Sequence, residues 1–259
     1  MRIGISSACL YPMETEKAFT AIVENGIPVC EIFFNASCEL NPSFVNELDA
    51  IRKSGETEVV SIHPMMSLAE SFVLFSAYDR RYREGLEDYK RYAQIAAQLG
   101  AKYIIMHGGK PNGVLTDEQY FERFYEISRA VRENGATLLQ ENVVHFRAGN
   151  LGFMNKMARY LGDEARFCLD VKQSVRGGYS PFDVLSSIGG HVKHIHISDN
   201  TPDNDCMIPL AGNFDFGAFF EKAQQNGYTG DSVIEVYRWA FDEPDELFSS
   251  HKKLCEKIF

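Results

Sequence analysis

Six side chains able to ligate a divalent metal stand at the ends of six successive short apolar runs. His63 follows Val-Val-Ser-Ile, His107 follows Ile-Ile-Met, Glu141 follows Leu-Leu-Gln and Asp170 follows Phe-Cys-Leu. His196 lies in His-Ile-His-Ile, and Glu235 follows Val-Ile. Taken singly, each has an ordinary reading, as a solvated or salt-bridged glutamate or a hydrogen-bonded core histidine. Six in a row are different, because carboxylates gathered in one apolar mouth repel one another and lose hydration unless a cation neutralises them. Glu141, Asp170, His196 and Glu235 would offer three oxygens and one imidazole nitrogen. That donor set suits manganese, magnesium or cobalt, and also accommodates zinc. His194 shares a strand face with His196, so either could be the ligand, with the one nearer the strand end favoured. His145, just past the fifth strand, is not expected to reach the mouth, and His191 and His251 flank helices and are expected on the surface.

The elements that must position these groups alternate from end to end. Strand patterns cover Arg2–Ala8, Val29–Phe34, Glu58–His63, Tyr103–His107, Thr137–Asn142, Phe167–Val171, Val192–Ser198 and Ser232–Tyr237. Helical patterns cover Glu14–Asn25, Pro42–Ser54, Asp79–Leu99, Thr116–Asn134, Gly149–Leu161, Pro181–Ile188, Phe214–Asn226 and Asp245–Ile258. Thr116 with Gln119 forms a capping-box pattern. An apolar segment, Ser67–Phe75, interrupts the third connection as a lid or a subunit contact. Eight strand–helix units predict a parallel sheet wrapped by helices. At 259 residues they fit one closed (β/α)₈ TIM barrel domain over residues 1–259, a fold that needs about 250 residues. The six candidate ligands recur about every 34 residues, close to the repeat of about 31 expected for such units, so they would converge where this fold places its active sites. No GxGxxG or Walker pattern opens the early units, which weakens an open nucleotide-binding sheet.

The net charge of −10 disfavours nucleic-acid phosphates as partners and favours a small molecule. Cys9, Cys30, Cys38, Cys168, Cys206 and Cys255 show no metal-finger or redox spacing and read mostly as buried free thiols. With no apolar leader at Met1–Ile5 and no run of about 20 apolar residues, the expectation is a cytoplasmic protein without a membrane partner.

In order and placement, His63, His107, Glu141, Asp170, His196 and Glu235 resemble the pattern of the xylose isomerase-like TIM barrel superfamily. The resemblance spans essentially the whole chain and is closest to the branch of sugar (phosphate) isomerases and epimerases related to apurinic endonucleases. It implies a metal held at Glu141, Asp170, His196 and Glu235. In ketose 3-epimerase members the two matching glutamates also act as acid and base on opposite faces of the substrate. Multi-zinc members use histidines matching His63 and His107. The endonucleases carry a histidine where this chain has Gln173 and an Asp-x-His where it reads Asp205-Cys206-Met207. The epimerases usually place a substrate-binding histidine at the position of Gln173, and often an arginine after the histidine matching His196. Here that segment reads Ser198-Asp199-Asn200-Thr201-Pro202.

The expected chemistry is proton transfer next to a metal-chelated carbonyl, with the cation as Lewis acid. Glu141 and Glu235 would be the catalytic pair, one removing and the other returning a proton. Substrate contacts are expected from His63, His107, Lys172, Gln173, Arg238 and Trp239, with further loop groups at Tyr11, Phe34 and Met65–Phe75. The leading expectation is a metal-dependent isomerase or epimerase of a sugar or sugar derivative, with homo-oligomers left open. A dehydratase (lyase) of a polyol or keto-inositol shares the enolisation step, an endonuclease-type hydrolase is disfavoured, and a non-catalytic metal-binding barrel is the remaining alternative.

Overall fold

The computed structural model describes residues 1–65 and 69–259. In chain order the barrel elements open with β1 (Ile3–Ser6), α1 (Thr15–Glu24), β2 (Val29–Phe33), α2 (Pro42–Lys53) and β3 (Glu58–His63). A short α3 (Glu70–Val73) precedes α4 (Asp79–Leu99), followed by β4 (Tyr103–Met106), α5 (Asp117–Glu133), β5 (Thr137–Glu141) and α6 (Leu151–Leu161). Then come β6 (Phe167–Asp170), α7 (Val171–Arg176), α8 (Pro181–Ile188) and β7 (Val192–Ile197). A hairpin of β8 (Asp199–Thr201) and β9 (Asn204–Met207) leads to α9 (Phe216–Gln225), β10 (Ser232–Ile234) and α10 (Pro244–Ile258). Eight strands, all but the hairpin, pair in parallel and close into a barrel, with β10 joining β7 to β1.

Two faces of each strand do different work. Ile3, Ile5, Ile32, Ile62, Ile104, Leu138, Leu169, Ile195 and Ile234 belong to the main core and are at most 1% exposed, packed with Phe19, Leu48, Tyr92, Phe124, Phe219 and Leu254 of the helices. Burying one such side chain stabilises the fold by about 1.5–3 kcal/mol. Gly100 ends α4 in the left-handed region at φ 76°, where only glycine is free of Cβ strain. The capping box at Thr116 and Gln119 forms as the sequence predicts.

Some boundaries and elements depart from the sequence expectation. The eighth barrel strand stops at Ile234, so Glu235 lies one residue beyond it, and His107 likewise follows β4. Helix α7 was not anticipated. It starts at once because the Asp170 carboxylate caps it, accepting from Gln173 N at 2.9 Å. The β8–β9 hairpin occupies a segment to which the sequence patterns assign no element. Of the apolar segment Ser67–Phe75, residues 67–68 lie outside the described residues, as does residue 66 before it; further along, Leu74 and Phe75 are buried. His251 is buried rather than at the surface, because its Nε2–H donates to Ile3 O at 2.8 Å and ties α10 to β1. Cys38 is exposed and Cys255 half-buried, while the other four thiols are buried. Among the described residues no helix is long and apolar enough to cross a membrane.

Candidate metal centre at the barrel mouth

Strand period fixes which side chains share the barrel interior. Ser61, Ile105, Leu139, Cys168, His194 and Val233 each stand two residues before His63, His107, Glu141, Asp170, His196 and Glu235. Side chains two apart on a strand point to one face, so an inner layer, largely apolar, sits beneath a polar layer nearer the mouth. One donor atom each of Glu141, Asp170, His196 and Glu235 lies within 4.8 Å of the others. His196 Nδ1 is 3.3 Å from Glu141 Oε1, 3.2 Å from Glu235 Oε2 and 3.9 Å from Asp170 Oδ2. Glu141 and Asp170 are 2% and 1% exposed, and Glu235 is 14% exposed.

Three acidic groups so close cannot all ionise without cations. One of these is Lys172, buried at 3% exposure, whose Nζ donates to Asp170 Oδ2 and, at 2.8 Å, to Glu235 Oε2. Burial opposes the charge on Lys172, but Asp170, Glu235 and Glu141 hold its pKa well above the ordinary value. Burial also raises the carboxylates, yet Lys172 and His196 keep Glu235 well below the usual range, and hydrogen bonds from His107, His196 and His63 do the same for Glu141. Asp170 carries the residual conflict. Burial and its acidic neighbours push it up to about 7 despite Lys172.

His63, His107 and Glu141 form a second group of three ligand atoms within the same limit. Their Nε2 atoms stand 3.6 Å and 3.1 Å from Glu141 Oε2, and their rings meet edge-on at 4.8 Å. Among the described residues that buried carboxylate oxygen has no well-aligned hydrogen-bond donor, and His107 Nδ1 has no partner. A buried acceptor left in this state is costly. With three carboxylate oxygens and an imidazole nitrogen converging beside it, the site fits a divalent cation. His107 is aimed by the turn after β4. Gly108 adopts φ 86°, its N–H donates to Glu70 Oε2 at 2.6 Å, and Gln140 Nε2 donates to His107 O at 2.9 Å.

Between His194 and His196, the geometry favours His196. The Nδ1–H of His194 donates to Asp231 O at 3.0 Å, and its Nε2 faces Ser61 and Glu31, below the mouth. Burial lowers its pKa to about 4, which keeps it neutral. Sequence reasoning missed Glu31, a fully buried carboxylate 3.0 Å from His196 Nε2. The available signal was an acidic residue inside the apolar run Val-Cys-Glu-Ile-Phe, two residues after inward-facing Val29.

A family profile described as the xylose isomerase-like TIM barrel matches residues 19–256. The chain belongs to this family. Solved structures with the same fold include 3-keto-D-glucoside 4-epimerase from E. coli, 17% identical with a TM-score of 0.78 over 99% of both chains. A D-tagatose 3-epimerase-like protein is 18% identical with a TM-score of 0.81, covering 100% of this chain and 97% of its own. The IOLI protein with a bound zinc atom is 15% identical with a TM-score of 0.77, covering 100% and 98%. Sugar epimerases are thus among the structural neighbours of this xylose isomerase-like barrel.

In this xylose isomerase-like chain a cavity of about 570 Å³ opens over the polar layer, lined among others by Phe33, Phe34, His107, Lys172, Glu235 and Tyr237. Gln173 and Arg238 reach it too, with their polar ends engaged. Gln173 Oε1 accepts from Val144 N at 3.1 Å, and the Arg238 guanidinium donates to Phe241 O and Asp242 O, both at 2.7 Å. Trp239 lies outside the cavity lining, 62% exposed, stacked on Tyr237 at 5.5 Å. His63 packs beneath, stacked on Phe33 at 4.5 Å, and His145 is exposed. A larger groove of about 680 Å³ lies outside the mouth, but its cations Arg147, Lys156 and Arg176 are paired with Asp117 and Asp205. Asp205 is the residue nearest an endonuclease zinc ligand in sequence, and its carboxylate is bound by Arg176 at 2.5 and 2.8 Å.

Proposed function

We propose that this protein is a divalent-metal-dependent epimerase or isomerase of a sugar or sugar derivative, working by proton transfer at a carbon next to a carbonyl. The convergence of Glu141, Asp170, His196 and Glu235 beneath an aromatic-lined cavity carries this reading. These four residues would hold manganese, magnesium, cobalt or zinc; the zinc-bound neighbour and the oxygen-rich donor set are the support. When bound, the ion supplies Lewis acidity toward oxygens beside the carbon that loses its proton.

The remaining work falls to the chain. Glu141 and Glu235 are held ionised by their cationic neighbours, so each starts as a base. One carboxylate takes the proton from carbon; the other, having first taken a proton from solvent, delivers it to the opposite face, which inverts the centre, and the first then returns its proton to solvent. Lys172 and His107 donate to the oxygen that gains charge, His63 supports Glu141, and Phe33, Phe34 and Tyr237 pack on the apolar face of the sugar. Gln173 and Arg238 shape the rim. The cations at this mouth are already engaged, which suits an uncharged small molecule over nucleic acid, and the absence of paired cysteines among the described residues suits a cytoplasmic setting.

The test incubates metal-loaded protein with ketoses, aldoses and their 3-keto derivatives in deuterated water. Deuterium at a carbon beside a carbonyl, with the epimer or isomer accumulating, is the expected result. Loss of water from the product would instead place the protein among the lyases, and no exchange with any sugar would overturn the proposal.

A further inference from the structure

We infer that Glu31 is a positioning residue that fixes the ring orientation of His196, so that Nδ1 and not Nε2 serves as the ligand atom; this rests on the proposed metal reading. The register of the barrel brings the parts together. Ser6 of β1 and Ser61 of β3 pair directly with Glu31 of β2, so all three side chains occupy one level of the interior. Ser6 Oγ donates to Glu31 Oε1 at 3.1 Å, and Ser61 Oγ donates to Glu31 Oε2 at 2.8 Å. His196 Nε2 approaches the same Oε2 at 3.0 Å from across the barrel.

Glu31 and His196 are both fully buried, so water cannot substitute for either partner. A carboxylate already fixed by two hydroxyls accepts but cannot donate, so the Nε2 it faces must carry the proton. The second ring nitrogen, Nδ1, is then the one turned toward Glu141, Asp170 and Glu235, and the one that would offer its lone pair to an ion held among them. A carboxylate behind a ligating imidazole both sets its tautomer and raises its basicity, and losing such a partner costs about 10–100-fold in metal affinity. Glu31, His194 and His196 also lie close enough to hold an ion themselves. Glu31 spends both oxygens on hydroxyls and imidazole, and His194 Nδ1 is spent on Asp231 O, which makes this group the support beneath the centre rather than a second centre.

The test loads the full chain, labelled with nitrogen-15 histidine, with cadmium-113 and reads metal–nitrogen coupling by NMR. Coupling to His196 Nδ1, with the proton on Nε2, is expected. In chelator competition Glu31→Gln, which keeps an acceptor but loses the charge, should bind Cd²⁺ about 10-fold more weakly, and Glu31→Leu about 100-fold. Coupling through Nε2, or a folded Glu31→Gln binding within twofold of the unsubstituted protein, would overturn the inference while leaving the metal reading intact. Failure of the unsubstituted protein to bind Cd²⁺, Mn²⁺ or Zn²⁺ would overturn both. The coupling measurement needs no variant, so a misfolded Glu31→Leu does not blunt it.

Discussion

Lys172 Nζ donates to Glu235 Oε2 at 2.8 Å while also touching Asp170, so one ammonium bridges two members of the candidate ligand set. With one divalent ion bound, three carboxylates and this lysine would leave the centre formally neutral. The lysine also satisfies part of the cluster on its own. Lys172→Met should therefore leave Asp170 and Glu235 unpaired and destabilise the metal-free protein by about 3–5 kcal/mol. Added Mn²⁺ should restore much of that loss, and should raise the melting temperature of the variant more than that of the unsubstituted protein. Melting curves with and without the ion check this; equal metal-free stability would remove the role assigned to Lys172.

Glu70 supplies a pH signature away from the ligand set. Burial raises its carboxyl to about 8 against an ordinary 4.5, even though Tyr89 and Gly108 N donate to it. The folded protein thus keeps a proton there that the unfolded chain releases, so stability falls as pH rises from about 4.5 to 8. Glu70→Gln can still accept from Gly108 N and donate to Tyr89, and it carries no charge. Urea unfolding should show the variant equal to the unsubstituted protein near pH 4.5 and more stable by a few kcal/mol at pH 8. Parallel stability curves over that window would contradict it.

The turn that presents His107 depends on the absence of one side chain. A Cβ on Gly108 would lie 2.0 Å from Tyr120 Oη and 3.0 Å from Gln140 Oε1, at a φ of 86°. Gly108→Ala should cost about 2–4 kcal/mol of stability through combined backbone strain and overpacking. It should also lower proton-exchange activity beyond what the melting temperature predicts, because His107 shifts away from Glu141. Activity measured well below the melting temperature separates the two effects, and unaltered turnover there would count against a role for His107.

Much of this arrangement was legible in the sequence because strand patterns are short, apolar and regularly spaced. His63, His107, Glu141, Asp170, His196 and Glu235 mark strand ends whatever the neighbouring strands do, so eight units and one mouth follow from local pattern alone. Other features are set across strands. Glu31 becomes meaningful only when register places it beside Ser6, Ser61 and His196. Helix α7 is only six residues long, too short for helical periodicity to announce it, and its cap is a residue already assigned to metal. His251 reads in sequence as a surface histidine flanking a helix, and only the docking of α10 against β1 buries it.

The most direct test of the central claim uses the two glutamates separately. With the metal-loaded protein and a pair of epimeric sugars in deuterated water, Glu141→Gln should still exchange the proton of one epimer and Glu235→Gln only that of the other. Neither should interconvert them, with rates of the lost step down by about 10²–10⁴-fold. That crossed pattern is what two carboxylates acting from opposite sides predict. Continued epimerisation by either variant, with the metal still bound, would contradict the account.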